Sequence, residues 1–220
     1  MRAAALRAGR NPDALRLVVV TKYASLEDVQ VILNTGLVAE VGENRVQNAE
    51  KKKISLRQQG SKVKWRMLGH LQTNKAKKAV EVFDAVDTVD SEKLAAALET
   101  ALAGSETTLP VMVQVKLTDR ETQSGVAPEE LEALLIALKK YPRLKVEGLM
   151  GIAPDVESRE TVRASFRSLR DLRDRHLPGG LLSMGMSHDF EIAIEEGADL
   201  VRIGSQIFFQ SSPASMGAPA

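Results

Sequence analysis

The chain has 220 residues, a formal net charge of +1 and 44% hydrophobic residues, which fits one larger domain such as an α/β barrel. Because its 30 basic and 29 acidic residues nearly balance, no bulk field favours nucleic acid or an anionic membrane, and the lack of cysteine excludes disulfides, zinc ribbons and thiol catalysis. The three histidines lie too far apart to indicate a histidine-rich metal site, and no apolar run approaches the ~20 residues of a membrane helix, so we predict a soluble, cytoplasmic protein without a metal.

The first half of the chain alternates short β-branched runs with longer amphipathic stretches. Ser25 and Asp28 nearly form a capping box and predict the start of a helix that ends near Gly36. Strands are predicted at 17–22, 38–42, 63–69 and 85–89, and further helices at about 45–57, from about Asn74 and from about Ser91.

The second half repeats this alternation. Pro128, followed by two acidic residues, predicts a helix start, and Ser187 is predicted to be the N-cap of a helix that ends at Gly197. Strands are predicted at 110–117, 146–152, 181–186 and 200–204, with a long charged helix at about 157–176.

Eight strand-like runs, with a helical stretch after each of the first seven, favour the α/β class. Their continuous apolar character is typical of parallel strands that are buried on both faces. We therefore predict a single (β/α)₈ TIM barrel over residues 1–210 and a disordered tail at 211–220, which is rich in serine, proline and alanine. A doubly wound open sheet is the alternative, but no Gly-x-Gly-x-x-Gly follows the first strand.

In a parallel barrel the functional face lies at the C-terminal ends of the strands. The first predicted strand ends in Lys22, after three valines. A lysine amine held at an apolar wall is a good nucleophile toward a carbonyl group. The alternative, favoured when Lys22 is considered alone, is a lysine that has simply reached solvent at the end of its strand.

Glycine and serine residues follow the seventh and eighth predicted strands, where barrels commonly bind phosphate. These residues are Ser183, Gly185 and Ser187 after one strand, and Gly204 and Ser205 after the other. Glycine lets the backbone approach an oxyanion, and hydroxyl groups donate hydrogen bonds to it. Ordinary turn and capping chemistry is the alternative, for Ser187 in particular. Together with a nucleophilic lysine, a phosphate site indicates a phosphorylated carbonyl compound as ligand.

Other polar residues fall at the same predicted end of the barrel. Arg202 stands in an apolar strand and therefore needs a partner, either a carboxylate or a ligand atom. Glu43, Asn44 and His70 also reach the mouth, and His70 is either a general base or a structural hydrogen-bonding group. We interpret the lysine clusters as solvated helix faces rather than as contacts to nucleic acid; they are Lys51, Lys52, Lys53, Lys75, Lys77 and Lys78.

Motifs in a fixed order extend over nearly the whole chain, from about Ala8 to Phe208. They lie at 18–22 (Val-Val-Val-Thr-Lys), 42–47 (Gly-Glu-Asn-Arg-Val-Gln), 68–75, 124–125, 147–154, 182–189 (Leu-Ser-Met-Gly-Met-Ser-His-Asp) and 201–205 (Val-Arg-Ile-Gly-Ser). With these motifs the sequence resembles the pyridoxal phosphate homeostasis proteins, a family of single-domain relatives of the alanine racemase N-terminal barrel.

The resemblance implies a barrel of fold type III that holds pyridoxal 5′-phosphate (PLP) as a Schiff base. It implies that Lys22 forms the Schiff base, that Ser183, Gly204 and Ser205 hold the phosphate, that Arg202 faces the pyridine nitrogen, and that Asn44 and His70 line the mouth. The family is regarded as a carrier and regulator of the intracellular PLP pool without established turnover. PLP-dependent apo-enzymes are the partners that this role implies.

The alternative is an enzyme, either a racemase-like PLP catalyst or a Schiff-base lyase of aldolase type. A racemase of this kind needs a tyrosine from a further domain, for which 220 residues leave no room, and Tyr23 is expected to project away from Lys22. A lyase needs a pair of carboxylates, and only Glu43 is available. An arginine at the pyridine nitrogen also weakens the ring as an electron sink. We therefore predict a monomeric binding protein; a barrel that binds nothing and acts through partners stays open.

Overall fold

Eight parallel strands close into a barrel in the computed structural model, which describes residues 1–56, 63–118, 123–156 and 158–208. The strands are β1 (Arg16–Val20), β2 (Glu40–Glu43), β3 (Lys64–Met67), β4 (Ala85–Val89), β5 (Leu109–Val115), β6 (Leu144–Gly151), β7 (Leu181–Ser183) and β8 (Leu200–Ile203). Each strand pairs in parallel with the next, and β8 pairs with β1 to close the sheet. The predicted (β/α)₈ barrel is confirmed.

Among the described helices, seven connect successive strands, one precedes β1 and one follows β8. They are α1 (Arg2–Arg7), α2 (Leu26–Asn34), α3 (Val46–Leu56), α4 (Ala76–Val82), α5 (Glu92–Ala101), α6 (Leu131–Leu138), α7 (Arg159–His176), α8 (Phe190–Glu195) and α9 (Ser205–Phe208), with short 3₁₀ turns at Pro12–Ala14, Thr73–Lys75 and Pro128–Glu130. Ser25 caps α2 and Ser91 caps α5, each by accepting a backbone N–H from the first turn. Both caps agree with the helix starts predicted at these serines.

The inside of the barrel carries buried charges as well as apolar side chains. The Arg66 guanidinium lies 2.7 Å from an Asp87 oxygen and 2.9 Å from a Glu40 oxygen, and Arg16 pairs with the same glutamate. Although burial opposes it, the charges of Asp87 and Glu40 raise the pKa of Arg66. Val18, Met112 and Leu200 belong to one buried apolar cluster. The described side chains inside the barrel therefore form a packed core rather than a pore.

Two strand ends differ from the sequence prediction in ways that matter for the site. β1 ends at Val20, so Lys22 lies in the turn after the strand, and β7 ends at Ser183. The prediction that Ser187 caps a helix is wrong, because α8 begins later, with Asp189 as its N-cap residue. Gly185 has a φ of 91°, which turns the chain away from the helix axis before Ser187.

The proposed tail at 211–220 lies outside the described residues, and the division into one domain at 1–210 and a tail stays a prediction. No helix within the described ranges is long and apolar enough to cross a membrane.

Candidate functional site

A cavity of about 350 Å³ opens at the C-terminal ends of the strands. Its volume lies within the range of small-molecule sites, roughly 300–1,000 Å³. Apolar and polar side chains both contribute: the lining consists of Val20, Lys22, Tyr23, Asn44, Leu68, Ile152, Met186, Ser187, His188, Arg202, Gly204 and Ser205. Five of the seven residues that the resemblance placed at the cofactor or at the mouth therefore meet in one cavity, and Ser183 and His70 are the exceptions.

Lys22 lies on the turn after β1, and its side chain is exposed toward the cavity. Its Nζ lies 4.8 Å from the centroid of the Tyr23 ring, and Tyr23 lines the same cavity. The expectation that Tyr23 projects away from Lys22 is therefore wrong. It assumed the alternation of a strand, whereas the strand has already ended at Val20.

Glu43 supports this turn from below rather than lining the cavity. Its carboxylate is fully buried and accepts hydrogen bonds from the Thr21 hydroxyl at 2.9 Å and from Lys52 Nζ at 2.7 Å. Glu43 is therefore engaged and does not supply the free carboxylate that a lyase requires. The interpretation of Lys52 as part of a solvated helix face is wrong, because only 14% of its side chain is exposed.

The loops after β7 and β8 meet at one side of the cavity. The Ser187 hydroxyl is buried and accepts a hydrogen bond from the Gly204 N–H at 3.4 Å, so the two loops are held together there. Gly185 shapes the first loop, since its φ of 91° suits glycine and a Cβ there would lie 2.5 Å from that of Ala193. Ser205, at the edge, is exposed. Hydroxyl and N–H donors thus gather around a small space, as an anion requires.

Arg202 is buried, and its guanidinium is held by two neutral groups. It donates to the Ser183 hydroxyl and to the Gly151 carbonyl, both at 2.9 Å. Among the described carboxylates none forms an ion pair with it, so of the two alternatives left open by the sequence, a carboxylate or a ligand atom, the carboxylate is wrong. Burial lowers the pKa of Arg202 to about 10, with Asp87 and Asp189 opposing the shift. Arg202 is therefore a cation at neutral pH, and two bonds use only part of its five donors.

Ser183 lies on the wall of the barrel and not on the cavity surface. It is fully buried, and its hydroxyl is occupied by Arg202. His70 is also outside the lining; it is exposed, with its ring 3.7 Å from Asp90. The described residues contain no group of three or more histidines or acids that could hold a metal ion.

Sequence reasoning missed six of the lining residues, which are Val20, Tyr23, Leu68, Ile152, Met186 and His188. Val20, Leu68 and Ile152 form the apolar wall of the cavity. They were missed because the apolar runs in the sequence do not show at which residue each strand ends. Met186 and His188 follow from the loop after β7, whose path depends on Asp189 accepting the Met186 N–H. Ser187 was proposed from the sequence as a phosphate donor with helix capping as the alternative, and the structure places it on the cavity surface.

Comparison with known proteins supplies the family. Residues 2–212 match the family described as "Alanine racemase, N-terminal domain". The pyridoxal phosphate homeostasis protein of Aquifex aeolicus is 39% identical over 209 residues, which cover 92% of this chain and 90% of that protein. That of Pseudomonas aeruginosa is 38% identical over 221 residues, which cover 100% and 94%.

A solved structure agrees with these relatives. PipY of Synechococcus elongatus, with PLP bound, is 34% identical, covers 94% of this chain and 98% of that chain, and superimposes with a TM-score of 0.81. The fold and its site thus define a barrel of the alanine racemase N-terminal class. Within that class, the chain belongs to the pyridoxal phosphate homeostasis protein family. The resemblance seen in the sequence is confirmed.

Proposed function

We propose that this protein binds PLP in the cavity through Lys22 and takes part in PLP homeostasis. The observation that carries the proposal is the donor set of one cavity: a lysine amine, a buried arginine without a carboxylate, and the Ser187–Gly204 loop pair. When bound, the cofactor supplies an aldehyde that condenses with a lysine amine. Its ring nitrogen accepts a hydrogen bond, and its phosphate requires several donors. The residues present therefore fit the group.

Each cavity residue has a proposed role that follows from its position. Lys22 provides the amine, and Asn44 lines the mouth beside it. Ser187, Gly204 and Ser205 hold the phosphate with hydroxyl and backbone N–H donors. Arg202 faces the pyridine nitrogen. Because Ser183 is buried behind these groups, we propose that it orients Arg202 instead of contacting phosphate.

The site favours binding over turnover. A cation at Arg202 disfavours protonation of the ring nitrogen, and an unprotonated ring is a poorer electron sink for a carbanion. Tyr23, at the edge of the cavity, is the one observation that favours the racemase-like alternative, because a racemase needs a second acid or base. We propose that the protein exchanges α-protons of amino acids slowly at most.

Turnover is tested by incubating the PLP-loaded protein with L-alanine or L-serine in deuterated water. We expect negligible racemisation and only slow α-deuterium incorporation. Racemisation at several turnovers per second, lost in both Lys22→Ala and Tyr23→Phe, would establish the enzyme and overturn the carrier role.

The binding site is tested by borohydride reduction and peptide mass mapping. The phosphopyridoxyl group should be found on the peptide that contains Lys22. Lys22→Ala should lose the visible absorbance of the bound cofactor, while the thermal unfolding of the ligand-free protein is unchanged. Lys116→Ala is the matched control. Label chiefly on Lys75 or Lys116 would contradict the assignment.

We further propose that PLP-dependent apo-enzymes receive the cofactor from this protein. The assignment to a cytoplasmic monomer likewise stays a prediction, and sedimentation of the PLP-loaded chain tests the oligomeric state.

A further inference from the structure

We propose that Glu43 and Lys52 are positioning residues, a buried ion pair that fixes the turn carrying Lys22 and thereby sets how fast Lys22 reacts. The inference rests on the proposed function of Lys22 and deepens it. Neither residue lines the cavity. Their effect is transmitted through Thr21, which immediately precedes Lys22.

Glu43 holds the turn from the side of β2. Its Oε1 accepts from the Thr21 hydroxyl at 2.9 Å, and its Oε2 lies 3.3 Å from the backbone N–H of Asn44. One fully buried carboxylate therefore contacts Thr21, the residue before Lys22, and the backbone of Asn44, which lines the cavity.

Lys52 holds the same turn from α3. Its Nζ donates to Glu43 Oε1 at 2.7 Å and to the backbone carbonyl of Thr21 at 2.5 Å. The Thr21 N–H donates in turn to the Gly42 carbonyl at 3.0 Å. The hydroxyl, the carbonyl and the N–H of Thr21 are thus all fixed, and two of these three bonds involve the ion pair.

Stability alone gives a poor reason for this pair. A buried ion pair is often no more stabilising than apolar residues of similar volume, because both charges must be desolvated. Its location offers a better reason for the pair, because the pair joins β1, β2 and α3 directly below two cavity residues, Lys22 and Asn44. The ion pair thus restricts the direction from which the Lys22 amine approaches a ligand.

The reaction of Lys22 depends on that direction. Its Nζ bonds to the aldehyde carbon of PLP, the carbon–oxygen bond breaks, and the oxygen leaves as water with the two amine protons. No electrons are gained or lost. A displacement of about 1 Å in a reacting group slows such a step by up to about 100-fold.

The chain offers a matched control in the neighbouring lysine. Lys53 also donates to a backbone carbonyl, that of Val82 at 2.7 Å, and lies 3.5 Å from an Asp84 oxygen. It is half-buried like Lys52, but its contacts are not at the cavity. Lys52→Met and Lys53→Met therefore remove the same kind of interaction at two places.

The test measures the rate of cofactor attachment to full-length protein. Ligand-free protein is mixed with PLP, the growth of the visible absorbance is followed, and the product is reduced and mapped. We expect Lys52→Met and Glu43→Gln to slow attachment at Lys22 by at least about ten-fold. Lys53→Met should stay within about two-fold, and Lys52→Arg should recover much of the rate. Thermal unfolding of each variant separates these effects from loss of fold.

Two results would overturn the inference without touching the proposed function. One is attachment at the wild-type rate in both Lys52→Met and Glu43→Gln; the other is equal slowing in Lys52→Met and Lys53→Met. Should Lys52→Met fail to fold, Glu43→Gln and Lys52→Arg decide by the same rates. Wild-type protein that takes up no label at Lys22 would overturn the proposed function itself.

Discussion

The Arg202 guanidinium shows how the site combines binding with a fixed orientation. Ser183 and Gly151 hold it with acceptors that carry no full charge. Its own charge is therefore not neutralised within the wall and acts on whatever occupies the cavity. Two kinds of serine can therefore be distinguished. Ser183 acts through Arg202, whereas Ser187 and Ser205 lie at the cavity surface.

Ser183→Ala and Ser205→Ala should therefore weaken ligand binding in different ways. Hydrogen bonds to charged groups contribute about 1.5–3 kcal/mol. Ser205→Ala should weaken PLP binding by roughly ten-fold and leave pyridoxal binding unchanged, since only the phosphate is lost as a partner. Ser183→Ala should weaken both ligands by the same factor. Titrations that follow the absorbance of the two ligands measure this, and a PLP-selective loss in Ser183→Ala would return that serine to the phosphate site.

Removing the charge of Arg202 should stabilise the ligand-free protein and weaken PLP binding. Burial lowers the pKa of Arg202 in the folded state from its usual high value to about 10. Between the folded and the unfolded pKa, the folded chain binds fewer protons than the unfolded chain, so the free energy of unfolding rises with pH there. Below pH 10 Arg202 is charged in both states, so the full cost of burying its charge lowers the stability of the folded state. At pH 8, Arg202→Gln should raise the free energy of unfolding by on the order of 1–3 kcal/mol. Denaturant unfolding without ligand measures it, and a decrease would contradict the account.

Several residue positions could be foreseen, and others could not. Lys22 and Asn44 were placed at the mouth because they end predicted strands, and Arg202 was noted as a charge within an apolar strand. Their roles toward the cofactor came from the resemblance to the family. Tyr23 and Ser183 were misplaced, because an apolar run does not reveal where the hydrogen bonding of a strand stops. The contacts of Glu43 with Lys52 join residues on separate elements, which no local pattern displays.

Among the elements, the loop from β7 to α8 depends most visibly on one backbone conformation. Gly185 combines a φ of 91° with close packing against Ala193 and Phe190. This conformation directs Met186 and Ser187 toward the cavity. A change in the backbone of this loop therefore displaces Met186 and Ser187 at the cavity.

Gly185→Ala should destabilise the fold and weaken phosphate binding together. A non-glycine residue at positive φ costs about 1–3 kcal/mol, and the crowded Cβ adds to that cost. Gly104→Ala is a suitable control, because Gly104 has a φ of 82° with no atom within 4 Å of an added Cβ. It should show only the backbone cost and unchanged PLP affinity. Equal losses of stability in the two variants would show that packing at Gly185 is unimportant.

Element positions were predictable where local chemistry decides them. β4 was predicted at its observed bounds, and Ser25 and Ser91 mark helix starts because an N-cap bond is made within one turn. Ser187 carried the same local signal and misled, since its hydroxyl contacts Gly204 on another strand's loop. Tertiary contacts thus override capping preferences at the site.

At the scale of the whole molecule, the cavity spans the seam where β1 pairs with β8. Lys22 follows one strand, and Gly204 and Ser205 follow the other. On the outside, Arg7 of α1 pairs with Glu191 and Glu195 of α8. These exposed pairs contribute little each. The seam is held by the pairing of β1 with β8 and by a ligand that contacts the loops after both strands.

PLP should therefore protect the seam more than the opposite side of the barrel. A ligand at 100 times its Kd stabilises the folded state by about 2.7 kcal/mol. We expect PLP to slow amide hydrogen exchange in β1 and β8 more than in β4 and β5. Mass spectrometry of the two states measures this, with Lys22→Ala as control. Uniform protection of all eight strands would mean that local opening of the seam does not occur.

The seam also has a consequence for biosynthesis. β1 leaves the ribosome long before β8, yet the cavity is lined by residues that follow both strands. On the proposed roles, a nascent chain that displays Lys22 without Arg202, Gly204 and Ser205 should hold the cofactor far more weakly than the closed barrel does. We therefore expect tight binding of PLP to arise only when the barrel closes, and prematurely terminated chains to contribute little to it.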